Sequence, residues 1–220
     1  RTQASLSYDE VDGLYDGRGF QRYMFRVNND FTINDKLSAT LDVNIRHAKN
    51  RNSIYDPFGD MRKMPAVYPA TWDDGRLASG KSGANPYGLL LYGGRTVAHS
   101  TQIGGKAALN FKPFDGLSLQ AIVAPFINYQ KNKKFRNQVS YTLMDNPDAI
   151  GGNLEGGGVT YSTNELTEER KDNWHVTTQV IANYMKSFGK HDITLMAGYE
   201  NYVMKKEELT GFIFLRDVKK

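Results

Sequence analysis

Residue types that do chemistry are present in this chain, but none is spaced as a catalytic or metal site requires. The four histidines lie far apart, and there is no cysteine, so neither a histidine cluster nor a thiolate site is indicated. The glycine-rich run 151–158 lacks the Lys-Ser/Thr that ends a phosphate-binding loop, so a simple loop is the better interpretation. Asp73-Asp74-Gly75 is more typical of a turn than of a calcium loop. We therefore predict no catalytic residue, metal or cofactor, and a protein that is not an enzyme.

Aromatic side chains in a long polar stretch are the best candidates for ligand contact. Binding residues are commonly carried by loops, and a flat ring packs well against the apolar face of a ligand such as a sugar. The alternative is that these rings pack the loop against its neighbours or against a partner. The candidate substrate-binding residues are Tyr68, Trp72, Tyr87 and Tyr92.

The elements that position these residues are strands, because apolar and polar residues alternate along the chain. In residues 37–46, Leu37 and Leu41 share one face while Asp42 and Arg46 share the other. The same alternation predicts strands at 4–8, 21–33, 101–112, 117–130, 174–184 and 193–200. The fold class is therefore all-β, with about seven antiparallel strands.

Two kinds of connection join these strands. Short turns at 34–36, 113–116 and 187–190 alternate with long polar stretches at about 50–100 and 131–171. Tight turns at one end and long loops at the other are typical of a transmembrane β-barrel with periplasmic turns and extracellular loops. The mean hydropathy of −0.56 does not argue against a barrel, because only alternate residues of its strands face lipid.

Aromatic residues near the ends of the apolar faces favour the membrane interpretation. Tyr23 and Phe31 flank one strand, and Trp174 and Tyr184 flank another. Tilted strands would separate these pairs by about 20 and 25 Å, close to the ~25 Å apolar band of outer-membrane barrels. A soluble sandwich also shows alternation, but it would concentrate large aromatics at mid-strand. We therefore expect the cell outer membrane, with lipid against the apolar face.

Some residues do not fit the simplest barrel. Pro125 lies inside the fifth strand and lacks a ladder donor, so we expect a bulge there. Ile122, Phe126, Ile181 and Met196 lie on the polar side and would need something to pack against, such as a plug. Seven strands also cannot close alone, because single-chain bacterial barrels have an even strand count. Either one strand is missing from the prediction or the chain is a piece of a larger barrel.

A series of short motifs occurs in a particular order. They are Ser5-Leu6-Ser7-Tyr8, Arg26-Val27-Asn28, Asp74-Gly75, Gly83-Ala84-Asn85-Pro86, Phe114-Asp115-Gly116-Leu117, Trp174, Asn183-Tyr184, Phe188-Gly189-Lys190-His191 and Ala197-Gly198-Tyr199-Glu200. Their order and spacing resemble those of the SusC-like (starch-utilisation-system type) TonB-dependent outer-membrane transporters. The resemblance covers nearly the whole chain.

The resemblance implies a barrel of about 22 strands around an N-terminal plug. It also implies import of oligosaccharides or peptides, energised through TonB and assisted by a SusD-like surface lipoprotein. Residues 1–220 would then be an internal part of one barrel domain. The plug and its TonB-contacting segment would lie outside them.

Two other functions stay open from the residues alone. One is a small complete barrel that acts as an adhesin or anchor, and the other is an outer-membrane hydrolase with loop-borne His and Asp at the rim. Nucleic acid is not an expected partner despite a net charge of +4, because the basic residues are scattered among 24 acidic ones.

Overall fold

Seven long strands form one antiparallel sheet. The computed structural model describes residues 1–81, 85–142, 150–153, 155–156, 159–160 and 163–215. The sheet strands are β1 (Thr2–Asp12), β2 (Gly19–Asn34), β3 (Leu37–Ser53), β4 (Gly94–Phe114), β5 (Leu117–Arg136), β10 (Asn164–Phe188) and β11 (His191–Leu215), hydrogen-bonded in that order. The predicted seven antiparallel strands are therefore confirmed. Within the described residues β1 and β11 are the two edges of an open sheet.

The remaining elements are short. Two helices, α1 (Phe58–Met61) and α2 (Pro86–Tyr92), lie between β3 and β4, and neither is long and apolar enough to cross a membrane. Between β5 and β10, β6 (Ser140–Thr142) pairs with β7 (Ile150–Asn153), and β8 (Glu155–Gly156) pairs with β9 (Val159–Thr160). The backbone of the glycine-rich run 151–158 thus contributes to β7 and β8, while residues 154, 157 and 158 lie outside the described residues.

The strands are longer than the alternation predicts. β10 and β11 have 25 residues each, which corresponds to about 80 Å at roughly 3.3 Å per residue. The strands extend further than predicted at the end of the sheet that carries the long connections. There β3 continues to Ser53, and β10 already begins at Asn164. The long connections are correspondingly shorter than the expected 50–100 and 131–171.

Strand register places the apolar residues of all seven strands on one face. One row of cross-strand neighbours reads Leu6, Phe25, Ile45, Ile103, Ile127, Trp174 and Lys205 from β1 to β11. Side chains on this apolar face are strongly exposed, as Val180 (51%), Leu195 (60%) and Tyr199 (67%) illustrate. The sheet is therefore held by its backbone ladder, and none of the residues that the structure describes forms a packed layer against its apolar face.

The bulge expected at Pro125 is absent. The register between β5 and β10 is continuous through the Pro125–Val176 pair, and the β4–β5 register is the same on both sides of the proline. Beside the proline, the ladder to β4 omits the positions opposite Pro125 and Ala124, and its register shifts only near the turn, between Phe111 and Phe114. A Cβ on Gly105 would lie in ordinary van der Waals contact with the proline Cγ, at 3.5 Å, so the strand opposite does not crowd the ring. The strand therefore loses hydrogen bonds without gaining a residue.

Side chains on the polar face of the sheet contact one another, and Phe126 finds a packing partner in this way. Phe126 stacks on His175, whose ring lies 5.3 Å from Tyr202. Arg22 forms a 2.8 Å ion pair with Asp9. Met196 is 71% exposed. The polar face thus carries an aromatic cluster that accounts for Phe126, while Met196 still faces open space.

The three tight turns occur at the predicted places. Asn34 Oδ1 accepts a 2.9 Å hydrogen bond from the Lys36 amide in the first turn, an Asx-type contact that favours tight turns. Gly116 and Gly189 close the other two with φ of +90° and +62°, a region that other residues reach only with strain.

Substitution of these two glycines should separate backbone strain from steric exclusion. A Cβ at Gly116 would lie 2.3 Å from the Met185 carbonyl oxygen, whereas nothing lies within 4 Å of one at Gly189. We expect Gly189→Ala to cost about 1–2 kcal/mol from its positive φ alone and Gly116→Ala to cost clearly more. The midpoint of urea unfolding measures both, and equal midpoints would contradict the steric argument.

Candidate functional site

The connection between β3 and β4 folds into a small unit at one end of the sheet. We call residues 54–93, together with residues 137–142 that follow β5, the cap. Among the described residues, Tyr55, Leu89 and Val139 form a buried apolar cluster with exposures of 0–4%. Asn137 links the two parts, since its amide donates to the Gly93 carbonyl (3.0 Å). The packed core therefore lies in the cap and not behind the sheet.

Asn85 organises the inside of the cap. Its side chain is 2% exposed, and its Nδ2 donates to the carbonyl oxygens of Ala70 and Ala78, both at 2.7 Å. Its Oδ1 accepts from the Gly88 amide at 2.8 Å, which caps α2. Pro86 follows at the first helical position, where its missing N–H costs nothing. The Asn85-Pro86 pair therefore starts a helix and also joins three segments of the cap.

Trp72 joins the two parts of the cap. Its indole Nε1 donates to the hydroxyl of Thr142, and the Thr142 amide donates to the Leu77 carbonyl at 2.9 Å. Thr142 also forms a parallel bridge with Ala78. The indole N–H is therefore used within the cap, and the ligand contact expected of this ring stays a prediction.

Tyr68 and Tyr87 line one cavity of about 210 Å³. Met61 and Met64 contribute to the same wall, with Pro69 and Pro86 among its other lining residues. Cavities of about 150 Å³ already accept a benzene ring, and thioethers adapt to irregular apolar shapes. The cavity is therefore suited to one apolar or aromatic group of a ligand.

The structure brings together only two of the four predicted contact residues. Tyr92 is 55% exposed, and its carbonyl accepts a 3.1 Å hydrogen bond from Asn137 Nδ2. Neither Tyr92 nor Trp72 lines the cavity. Met61 and Met64 were not singled out from the sequence, because an isolated methionine in a loop carries no periodic signal.

The acidic tripeptide at 73–75 is a turn, as predicted. The Gly75 amide donates to the Trp72 carbonyl (2.9 Å), and Gly75 has a φ of +83°. The Arg76 backbone amide, followed by its guanidinium, holds the pKa of Asp74 below its usual value. In the part of the chain that the structure describes, no three His, Asp or Glu side chains gather as a metal would require.

Comparison with solved structures identifies the fold. The RagAB peptide importer in its "closed-closed" state matches 97% of this chain with a TM-score of 0.71 and 20% identity. Its "open-open" state also gives 0.71, at 19% identity, and a further structure of the RagAB peptide transporter gives 0.69 at 20%. The chain has the fold of a segment of the RagA barrel. It spans about a quarter of the chains it matches.

The expected likeness to a SusC-like TonB-dependent transporter is thus confirmed at the level of the fold. No family model matches the chain, and no curated protein matches it. RagAB is a peptide importer and not an enzyme.

Replacing Asn85 should loosen the cap while leaving the sheet intact. Asn85→Ala leaves the Ala78 carbonyl and the Gly88 amide without their partner, at about 1–3 kcal/mol for each buried group, while the Ala70 carbonyl keeps a 3.2 Å hydrogen bond from the Ala78 amide. We expect faster hydrogen–deuterium exchange across residues 54–93 and unchanged exchange in β10 and β11. Asn137→Ala, which removes one hydrogen bond at the cap surface, is the matched control. Equal exchange in both variants would argue against the organising role of Asn85.

Proposed function

We propose that this chain is part of the wall of an outer-membrane active importer of oligomeric nutrients, peptides in the first place. The observation that carries the proposal is the match of 97% of the chain to the barrel of a peptide importer. The proposed import is energised through TonB by a plug that other residues supply. A SusD-like surface lipoprotein is the proposed partner at the cap end.

The exposed apolar face supports the membrane location. A contiguous apolar sheet face of this size is a liability in water, but it suits lipid. From Trp174 to Tyr184 the apolar band of β10 spans about 25 Å at the usual tilt. Beyond Trp174 the same face carries Asp172, Arg170 and Glu168. This change from apolar to charged residues is expected where a strand leaves the hydrocarbon.

The cap supports the importer function. It folds at the end where the charged strand segments lie, so in the proposed orientation it faces the outside of the cell. Its cavity contains two tyrosine rings and two methionines, a composition suited to apolar peptide side chains. We therefore propose peptides rather than oligosaccharides as the substrate class, with Tyr68 and Tyr87 as contact residues.

Adjacent positions of β10 should respond oppositely to a charge. Val180→Arg would place a cation at mid-membrane, at a cost of roughly 2–4 kcal/mol, and should lower the amount of assembled barrel. Gln179→Arg should assemble nearly normally, because Gln179 lies on the polar face, where it donates to Glu200. The heat-modifiable band in isolated outer membranes measures both. Similar yields would contradict the membrane orientation.

Removal of the cavity rings should weaken substrate capture. In the full-length transporter, Tyr68→Ala combined with Tyr87→Ala should raise the apparent KM for uptake of a labelled peptide mixture roughly fivefold or more, since tyrosines that anchor a ligand as hot spots cost over about 1 kcal/mol when truncated. Tyr92→Ala is the control, because Tyr92 lies outside the cavity. Unchanged KM in the double variant would place recognition elsewhere, and absence of peptide uptake by the unmodified transporter would reject the proposed function.

A further inference from the structure

A hollow of about 360 Å³ lies on the polar face of the sheet. Side chains of β3 and β4, most of them small, form its floor, where register places Ala48 opposite Ser100 and Asn50 opposite Ala98. Larger side chains of β2, β5 and β10 also line it, among them Phe20. Small residues between large ones thus give this part of the sheet a concave surface.

In the proposed orientation the hollow lies on the route into the barrel. Ala48 comes three residues after Ile45, whose row contains Trp174 at the outer end of the apolar band, and this separation is roughly 7 Å at the usual strand tilt. The cap begins at residue 54, where β3 has ended. Because the apolar face meets lipid, the polar face lines the lumen. A solute that has passed the cap therefore meets the hollow next.

Two polar atoms in the lining of the hollow are buried without a hydrogen-bond partner. They are Arg46 Nε and Asn132 Oδ1, two of the four such side-chain atoms among the described residues. Buried polar groups in folded proteins are normally paired, so each exception needs an explanation. The hydrogen bond that Arg46 does make is long, 3.5 Å from Nη1 to Gln102 Oε1. The hollow therefore holds a donor and an acceptor that the sheet itself does not satisfy.

Arg46 is also a cation without an acid beside it. The two lysines that line the hollow each have a carboxylate, since Lys171 contacts Glu169 at 2.9 Å and Lys131 contacts Glu168 at 3.3 Å. Among the described residues, no carboxylate forms an ion pair with Arg46.

The acidic side chains of the polar face that lie nearest to Arg46 in the register have basic neighbours of their own. Asp9 pairs with Arg22 at 2.8 Å, and Asp42 lies directly opposite Lys106. The charge of Arg46 is therefore left for an anionic group that the described residues do not supply.

We propose that the hollow binds the main chain and the C-terminal carboxylate of a peptide substrate, with Arg46 as the carboxylate-binding residue. A planar guanidinium can bind a carboxylate through two parallel hydrogen bonds. Gln130 and Asn132 line the same hollow, and their amides match peptide groups of any sequence because an amide both donates and accepts. The proposal rests on the peptide import proposed above, and it adds a contact region inside the barrel to the cavity of the cap.

Peptide binding by the full-length transporter tests the proposal. The probes are two pools of short synthetic peptides with a fluorescent label at the N-terminus, which end either in a free carboxylate or in an amide. Fluorescence anisotropy gives the dissociation constant of each pool. The variants are Arg46→Gln and Arg46→Lys. Lys106→Gln is the matched control, because it removes a cation from the same face but outside the lining of the hollow.

The unmodified protein should bind the carboxylate pool roughly tenfold or more tightly than the amide pool, because hydrogen bonds to charged groups are the stronger ones. Arg46→Gln should bind both pools alike. Arg46→Lys should keep part of the preference, because lysine keeps the charge and loses the fork, and Lys106→Gln should keep all of it. A preference that persists in Arg46→Gln, or that Lys106→Gln loses equally, would overturn the proposal.

A second pair of variants tests the shape of the hollow. Ala98→Leu should fill it and weaken the binding of both pools by a similar factor. Thr96→Leu, one step outward on the same face of β4 and outside the lining, should bind both pools like the unmodified protein. Equal binding by these two variants would contradict the proposed site. So would a loss of assembled, heat-modifiable barrel in Arg46→Gln but not in Lys106→Gln, because Arg46 would then hold another part of the protein.

Peptide uptake by cells separates failure of this proposal from failure of the proposed function. If the unmodified transporter takes up peptides without any preference for a free carboxylate, the import function stands and the proposed role of the hollow is wrong. If it neither binds nor takes up either pool, peptide import itself is wrong, and the proposal fails with it.

Discussion

The backbone hydrogen-bond ladder is the interaction on which the rest of this structure depends. Seven strands of 11 to 25 residues are paired over nearly their full length, and the buried apolar cluster of the described residues lies elsewhere, in the cap. A sheet held in this way has one apolar face and one polar face, and the two faces need different media. An apolar medium satisfies the outward face, where backbone groups must already be paired within the sheet. Among the described residues, β1 and β11 keep one edge each without a neighbouring strand.

The cap follows a different physical rule. Its stability comes from burial around Tyr55, Leu89 and Val139 and from a buried amide whose hydrogen bonds are all satisfied. A satisfied buried polar group specifies one arrangement, because any other leaves it without partners. The cap therefore presents a shaped cavity at one end of the sheet.

Much of the fold was predictable from local pattern. Alternation identified all seven strands, and turn chemistry identified Gly116 and Gly189. Prediction was wrong at Pro125, because the register there follows from the pairing of β5 with both neighbouring strands, which cannot be read from the strand that contains the proline. The predicted strand 174–184 was too short. Residues 164–173 of β10 carry charged side chains on both faces, so apolar and polar residues do not alternate there. Of the four loop aromatics, Tyr68 and Tyr87 meet in one cavity, while Trp72 reaches Thr142 instead.

By itself the sequence determined the class of the protein, since strand period and turn residues depend on neighbours one to four positions apart, and each pair of end-of-strand aromatics lies within one strand. Only the tertiary structure decided which distant residues meet. Trp72 and Thr142 are separated by 70 positions, and the cluster of Phe126, His175 and Tyr202 draws on three strands. Such contacts depend on cross-strand register, and register arises from the pairing of whole strands and not from any local stretch of sequence.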